Sequence, residues 1–448
     1  VEVNVSEDFL LIADYKELKI AIDNLFRNAI SHTEENKYIN IECKKEADKM
    51  IVTMKNPYKE MSQEEIEKLW IPFNKEDKAR TRKFGGTGLG LSIVGAILKK
   101  HNFTVTHNIA GHETGFTARK VSSRPGPKIA FLAEYDALPE IGHGCGHNLI
   151  GTASAGAAAA IGNIIESLGG EVVVFGTPAE EGGDNGSAKA SFVNEGLFDN
   201  IDAALMFHPA NKNSVTQKTQ TVEPVDIEFF GKTAHAAGSP EKGINALHAL
   251  IHFYNTLHSH QTGKFKNLNI HGVITDGGKA PNVIPDYAKA RFYIRGATSN
   301  ESREAVNTIK DILTGIDKAF NTTSKLTYFQ NRVDHFVLTP EFDKLFSNIY
   351  EDYTGLTIEK GQIKPGGSTD AANVSHVTPV IHPYLSIGDS SLTGHTTEFA
   401  DAACSEKGFE TLLLAAKLLS LTALELYKDS ELLEKIKNDW NKRIDSQK

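Results

Sequence analysis

Three uninterrupted apolar runs most constrain what this chain can fold into: residues 128–134 (KIAFLAE), 171–176 (EVVVFG) and 203–207 (AALMF). Runs without polar alternation fit strands buried on both faces, as in parallel sheets covered by helices. Each run stops at once in a polar cluster. The first leads through Tyr135-Asp136 to Cys145 and His147, the second to Glu180-Glu181, the third to His208. Open parallel sheets gather ligands beyond the carboxyl ends of their strands, so the strand reading and the polar clusters support each other. Between the first two runs, residues 149–165 are rich in Ala and Gly but carry Ser154 and Asn163. That falls short of the ~20 apolar residues of a membrane span. It predicts a buried helix packed closely on the sheet, and no membrane span.

The clusters carry chemistry. Gly142-His143-Gly144-Cys145-Gly146-His147-Asn148 sets a thiol and an imidazole two residues apart in a loop too glycine-rich for a helix. Pro178-Ala179-Glu180-Glu181-Gly182-Gly183, Phe207-His208-Pro209 and Gly394-His395-Thr396 follow. Thiolate, imidazole and carboxylate together are the donor set of Zn²⁺ or a similar divalent ion. Some neighbours stay open: His143 and Asp136 either orient a ligand or only form turns, and Gly366 to Asp370 is either a substrate loop or a glycine-serine turn.

The 448 residues suggest two to four domains. Residues 220–332 read as strand, helix, strand, strand, helix, strand, which predicts a ferredoxin-like split βαβ unit inserted in the first domain. Residues 380–387 resume the strand pattern, and the charged tail from Ser430 predicts a solvated surface helix. Residues 1–100 differ in character. Helices are expected at 14–32 and 63–70, a strand pair at 38–54, and a glycine loop, Gly85 to Gly90, running into a helix. The net charge of −9 with no basic stripe gives no hint of nucleic-acid binding, and no such partner is expected. Three cysteines, Cys43, Cys145 and Cys404, make no disulfide framework. A reducing, cytoplasmic setting is expected; no secretory signal is visible, though the chain starts at Val1 rather than Met.

From about residue 100 to 425 the chain resembles the co-catalytic zinc amidohydrolases and carboxypeptidases, in the branch of aminoacylase-like, carboxypeptidase G-like and aminobenzoyl-glutamate hydrolase-like enzymes. The resemblance rests on AEYDALPEIGHGCGHN, GTPAEEGG, FHP, GKTAHA, APNVIPD, GGSTDAANVS and TGHT, in that order. It implies metal ligation by Cys145, His147, Glu181, His208 and His395, with Glu180 as general base. It implies that His235 reaches a partner subunit's active site, and that Asn282 and Arg295 lie near the substrate carboxylate. Five ligands exceed the three plus water of one catalytic zinc and suit two divalent ions, Zn or else Mn or Co. The expected function is hydrolysis of the amide bond in an N-acyl amino acid, dipeptide or aminobenzoyl-glutamate-like substrate.

The first hundred residues resemble the ATP-binding domain of sensor histidine kinases. Asn24-Leu25-Phe26-Arg27-Asn28-Ala29, Trp70-Ile71-Pro72-Phe73 and GGTGLGLSIV match its boxes. The resemblance implies ATP and Mg²⁺ held by Asn24, Asn28, Gly86, Gly88 and Gly90. The box that would hold adenine reads Lys55-Asn56-Pro57-Tyr58-Lys59, without its acidic residue, and the phosphoacceptor histidine is not matched. An ATP-binding module fused to an inactive hydrolase is the alternative reading. The expected fold class is therefore α/β. A truncated ATPase α/β sandwich (1–100) precedes a mostly parallel catalytic domain (101–219 and 333–425). That domain carries an inserted ferredoxin-like lid and dimerisation unit (220–332), and a helical tail (426–448) follows. The expected assembly is a homodimer through residues 220–332.

Overall fold

The computed structural model describes residues 2–5, 39–46, 49–55, 101–183, 185–361 and 366–446. The expected nucleotide residues Asn24, Asn28, Gly86, Gly88 and Gly90, and the helices expected before residue 100, lie outside the described residues. Strands β1 (Glu2–Val5), β2 (Asn40–Glu46) and β3 (Lys49–Lys55) form one sheet, with β2 and β3 the antiparallel pair expected there.

A hairpin of β4 (Thr104–Ile109) and β5 (His112–Val121) leads into β6 (Lys128–Glu134), helix α1 (His147–Leu168) and β7 (Glu171–Thr177). Helix α2 (Ala188–Asn194), β8 (Ala203–Leu205) and β9 (His208–Ala210) follow. The three apolar runs thus become β6, β7 and β8, and they pair in parallel. Phe131, Leu132, Val173 and Phe175 are completely buried; covering such a side chain contributes about 1.5–3 kcal/mol. Helix α1 lies on this sheet. A side chain at Gly151 would come within 2.6 Å of the Glu134 carbonyl oxygen, so glycine sets how closely the helix approaches β6. Among the described residues, α1 is the one helix long and apolar enough to cross a membrane, and 61% of its most apolar stretch is buried inside the protein.

The inserted unit runs β10 (Glu223–Phe230), α3 (Ala246–Ser259), β11 (Asn269–Asp276), β12 (Tyr287–Arg295), α4 (Ser299–Phe320), β13 (Thr323–Tyr328). Its sheet is antiparallel throughout, in the order β11-β12-β10-β13. Along β12, Ala288, Ala290, Phe292 and Ile294 face a second hydrophobic core with α3 and α4. The alternate residues Arg291, Tyr293 and Arg295 project from the other face, as strand periodicity requires.

The chain then returns through α5 (Pro340–Thr354), α6 (Ala371–Ser375), β14 (Val380–Ile381), β15 (Tyr384–Ser386), α7 (Thr397–Ala403), α8 (Glu406–Lys428) and α9 (Ser430–Asp445). The main sheet has the order β14-β8-β6-β7-β5-β4, parallel from β14 to β7, with β5 antiparallel to β7. Two sequence expectations need correction. Residues 380–387 are not one strand. β14 joins β8, then His382-Pro383 breaks the run, and β15 pairs with β9 in a separate two-stranded sheet. Nor is α9 a purely solvated helix. Leu433 and Ile436 are buried. Trp440 donates its indole N–H to the Ser375 carbonyl at 2.7 Å, and Lys437 pairs with Asp202 at 2.9 Å.

Candidate metal centre

The carboxyl ends of β6, β7 and β8 bring the polar clusters together. The loop after β6 ends in Gly146, whose backbone is left-handed (φ 75) and whose missing side chain would collide with Pro209 at 2.5 Å. This tight turn starts α1 at His147, places Cys145 beside β9, and buries the imidazole completely. Beyond β7, Ala179 holds a positive φ of 60, and His395 holds one of 64. Such conformations are sparsely populated for residues with a side chain and cluster at functional sites. Thr396 accepts the Phe399 N–H as N-cap of α7 and fixes the end of the His395 turn.

Within this pocket Cys145 Sγ lies 3.5 Å from His208 Nε2. His147 Nε2 is 3.8 Å from Glu180 and 3.9 Å from Glu181, and His395 Nε2 is 3.4 Å from the second oxygen of Glu181. Three donor sets converge, each within 4.8 Å: Cys145, His147 and His208; Cys145, Glu181 and His395; His147, Glu180 and Glu181. His147 Nε2 and Glu181 Oε1 are buried and make no hydrogen bond. Buried polar atoms are ordinarily paired, and metal ligation is one way to satisfy such a group. The residues present therefore fit one or two divalent ions.

Outer contacts set the tautomers. His147 Nδ1–H donates to Asp136 Oδ1 at 3.2 Å, and His208 Nδ1–H donates to the Pro209 carbonyl at 2.7 Å. Both rings thus turn Nε2 toward the centre, the arrangement common to ligating histidines. Asp136 also accepts the Glu181 N–H at 3.0 Å, so it orients two groups rather than merely forming a turn.

The electrostatics agree. Burial, then the neighbouring His147, press His208 down to about 4, which keeps it neutral. Burial drives the Cys145 thiol up to about 12. Burial and the charge of Glu134 hold Glu180 well above the usual carboxylate range. Burial opposes a charge on His147, yet Glu134 and Asp136 outweigh it and raise the ring above its ordinary value. The carboxylates that raise His147, Glu134 and Asp136, would also favour a divalent cation. A cavity of about 300 Å³ opens on Cys145, His208, Tyr384, Leu392, Gly394 and Phe399.

Other expected residues lie on the inserted unit. His235 is exposed and, among the described contacts, does not touch the centre. Its Nδ1 accepts the N–H groups of Ala237 and Gly238 at 3.3 and 3.0 Å. The ring proton therefore sits on Nε2, which points outward as a donor. Asn282 is adjacent: its carbonyl accepts the Ala236 N–H, and His235 bridges to Val283. Arg295 donates to Ser368 at 2.8 Å. His382 is fully buried with its ring 5.5 Å from that of His208. Sequence reasoning gave Glu134 and Lys189 no role and read Asp370 only as part of a substrate loop or turn; the three form a buried ion cluster joined to His147.

Comparison with known proteins agrees with this geometry. Residues 224–321 match a peptidase dimerisation domain. Residues 13–130 match the histidine kinase-, DNA gyrase B- and HSP90-like ATPase family. That second match runs through β4 and β5, which here pair with each other, β5 also pairing with β7. The chain is 35% identical over 341 residues to the Xaa-Arg dipeptidase of Homo sapiens, spanning 73% of this chain and 76% of that protein. It is 30% identical over 431 residues to a p-aminobenzoyl-glutamate hydrolase chain of Escherichia coli (strain K12), spanning 78% and 87%. The fold matches that of a dinuclear metal binding peptidase of the M20 family from Bacillus subtilis, with a TM-score of 0.54, 19% identity and coverage of 75% and 90%. Fold, donor set and relatives converge: this chain belongs to the M20 family of metal-dependent peptidases and amidohydrolases, with an ATPase-like segment at its N-terminal end.

Proposed function

We propose that the chain hydrolyses the amide bond of a dipeptide, an N-acyl amino acid or an aminobenzoyl-glutamate-like substrate at a pair of divalent ions. The observation that carries this reading is the convergence of Cys145, His147, Glu180, Glu181, His208 and His395 around two buried ligand atoms that make no hydrogen bond. Cys145, His147, Glu181, His208 and His395 would hold the ions; the thiolate and imidazoles favour zinc, with manganese or cobalt as the alternatives. Bound ions supply Lewis acidity toward the carbonyl and a water of lowered pKa. Glu180 would take a proton from the attacking water and return it to the leaving amine, a task suited to a carboxylate of raised proton affinity. The Xaa-Arg dipeptidase relative puts basic dipeptides first in any substrate panel.

Arg295 and Asn282 would take the substrate carboxylate. Arg295→Ala is then expected to raise KM by about 10–100-fold with a smaller change in kcat, since it removes a charge-assisted bond. Steady-state kinetics on one dipeptide check this, and an unchanged KM would dismiss the role.

His235 would donate from Nε2 to the developing oxyanion of a partner subunit. The match over residues 224–321 supports a homodimer through the ferredoxin-like inserted unit. Co-expression of Glu180→Gln chains with His235→Ala chains should then regain activity that neither variant has alone. A mixed dimer holds one site with both intact residues. If the mixture stays as inactive as its parents, His235 does not act across the interface.

The ATPase match favours a second activity: Asn24, Asn28, Gly86, Gly88 and Gly90 would cradle the phosphates of Mg²⁺-ATP. Protection of residues 1–100 from proteolysis by Mg²⁺-ATP is the expected result, and no protection at saturating nucleotide would remove it.

A further inference from the structure

Lys189, Glu134 and Asp370 form an ion cluster that the hydrolytic roles above leave unused. Their exposures are 0%, 0% and 1%. The Lys189 ammonium lies 2.6 Å from Glu134 Oε1 and 2.6 Å from Asp370 Oδ1, and the Lys189 N–H donates to Asp370 Oδ2 at 3.0 Å. Burying each such charge costs several kcal/mol, and apolar residues of the same shape would often serve stability as well. Placement points to a use. Glu134 ends β6 and turns Oε2 toward His147 Nε2, 3.5 Å away. Asp136, two residues on, holds Nδ1 of the same ring. One strand end therefore grips both edges of His147. At the other end of the cluster, Asp370 immediately precedes α6. Two residues before Asp370, Ser368 meets Arg295.

We propose that Lys189 is a positioning residue of the metal centre: its ammonium fixes Glu134 beside His147 and pins the segment bearing Asp370 and Ser368 against the same centre. The inference rests on the metal-hydrolase reading. Without the cation, Glu134 and Asp370 repel across a gap closed to bulk solvent, and Glu134 is free to rotate away from the ring or to crowd the ligand edge. Groups that orient a ligand from outside in this way typically govern metal affinity by 10–100-fold.

Lys189→Met alone strands two buried carboxylates and endangers folding. The triple variant Glu134→Gln, Lys189→Met, Asp370→Asn removes every charge at nearly constant shape. Metal-free wild type and triple variant would be titrated with Zn²⁺ against a competing chelator, with urea unfolding of both in parallel. The expected result is a folded triple variant, with a urea midpoint close to wild type, that binds Zn²⁺ about 10–100-fold more weakly. Equal affinity in a folded triple variant overturns the proposal. Failure of the triple variant to fold also overturns it, because the cluster is then a structural brace. If wild type itself binds no Zn²⁺, the metal reading falls first, a result distinct from equal binding by both proteins.

Discussion

Glu180→Gln is expected to lower kcat by about 10²–10⁴-fold, the range that a positioned general base contributes, while bound metal stays at the wild-type level. The geometry separates Glu180 from its neighbour. Glu181 approaches both His147 and His395, at 3.9 and 3.4 Å, and has an unpaired buried oxygen. Among the described ion pairs, Glu180 approaches His147 alone, at 3.8 Å. Burial and Glu134 raise its proton affinity, which suits a group that must both take and return a proton. The amide of glutamine matches the carboxylate in size and can do neither. Kinetics together with elemental analysis check this. Near-normal turnover would assign the base elsewhere, whereas loss of metal together with activity would make Glu180 a ligand.

Lys189→Met should cost about 3–5 kcal/mol of stability, the usual result of removing one partner from a buried ion cluster. The two carboxylates left behind have no water to face, since Glu134 and Asp370 are essentially inaccessible. Burial would raise Glu134, but Lys189, with help from His147 and His208, brings it down to about 2. Removing the cation withdraws the main stabiliser of that charge. Urea unfolding at neutral pH gives the number, and a loss below about 1 kcal/mol would mean that the carboxylates find other partners or protons. The single variant measures the brace, whereas the triple variant isolates the positioning role.

The parts of the molecule legible in its sequence share one property: their signal is local. Unbroken apolar runs gave β6, β7 and β8, and the polar residues after each run gave most of the centre, because a strand's end and its following loop are contiguous. Alternating burial marked β12 in the same way. The Glu134–Lys189–Asp370 cluster left no such trace. Lys189 and Asp370 are 181 positions apart, and a lysine amid small residues on α2 looks solvated until the fold closes over it. The 380–387 run misled for a related reason: its apolar residues are contiguous, but Pro383 cannot donate to a ladder, so the chain changes sheets there. The α9 tail read as solvated because it is charged, yet Leu433 and Ile436 are buried. His235 shows the limit in function: its Nδ1 contacts are set within this chain, but in the proposed dimer what it would donate to belongs to the partner.

We take the Cys145–His147–Glu181–His208–His395 cluster to be a catalytic pair of metal sites. Its most direct test is metal content by elemental analysis of the full chain, paired with hydrolysis of basic dipeptides, N-acyl amino acids and aminobenzoyl-glutamate before and after chelation. About two divalent ions per chain are expected, with cleavage that chelation abolishes and added Zn²⁺, Mn²⁺ or Co²⁺ restores. Cleavage that persists in metal-depleted protein, or a chain that binds no ion and cleaves none of these substrates, would contradict it.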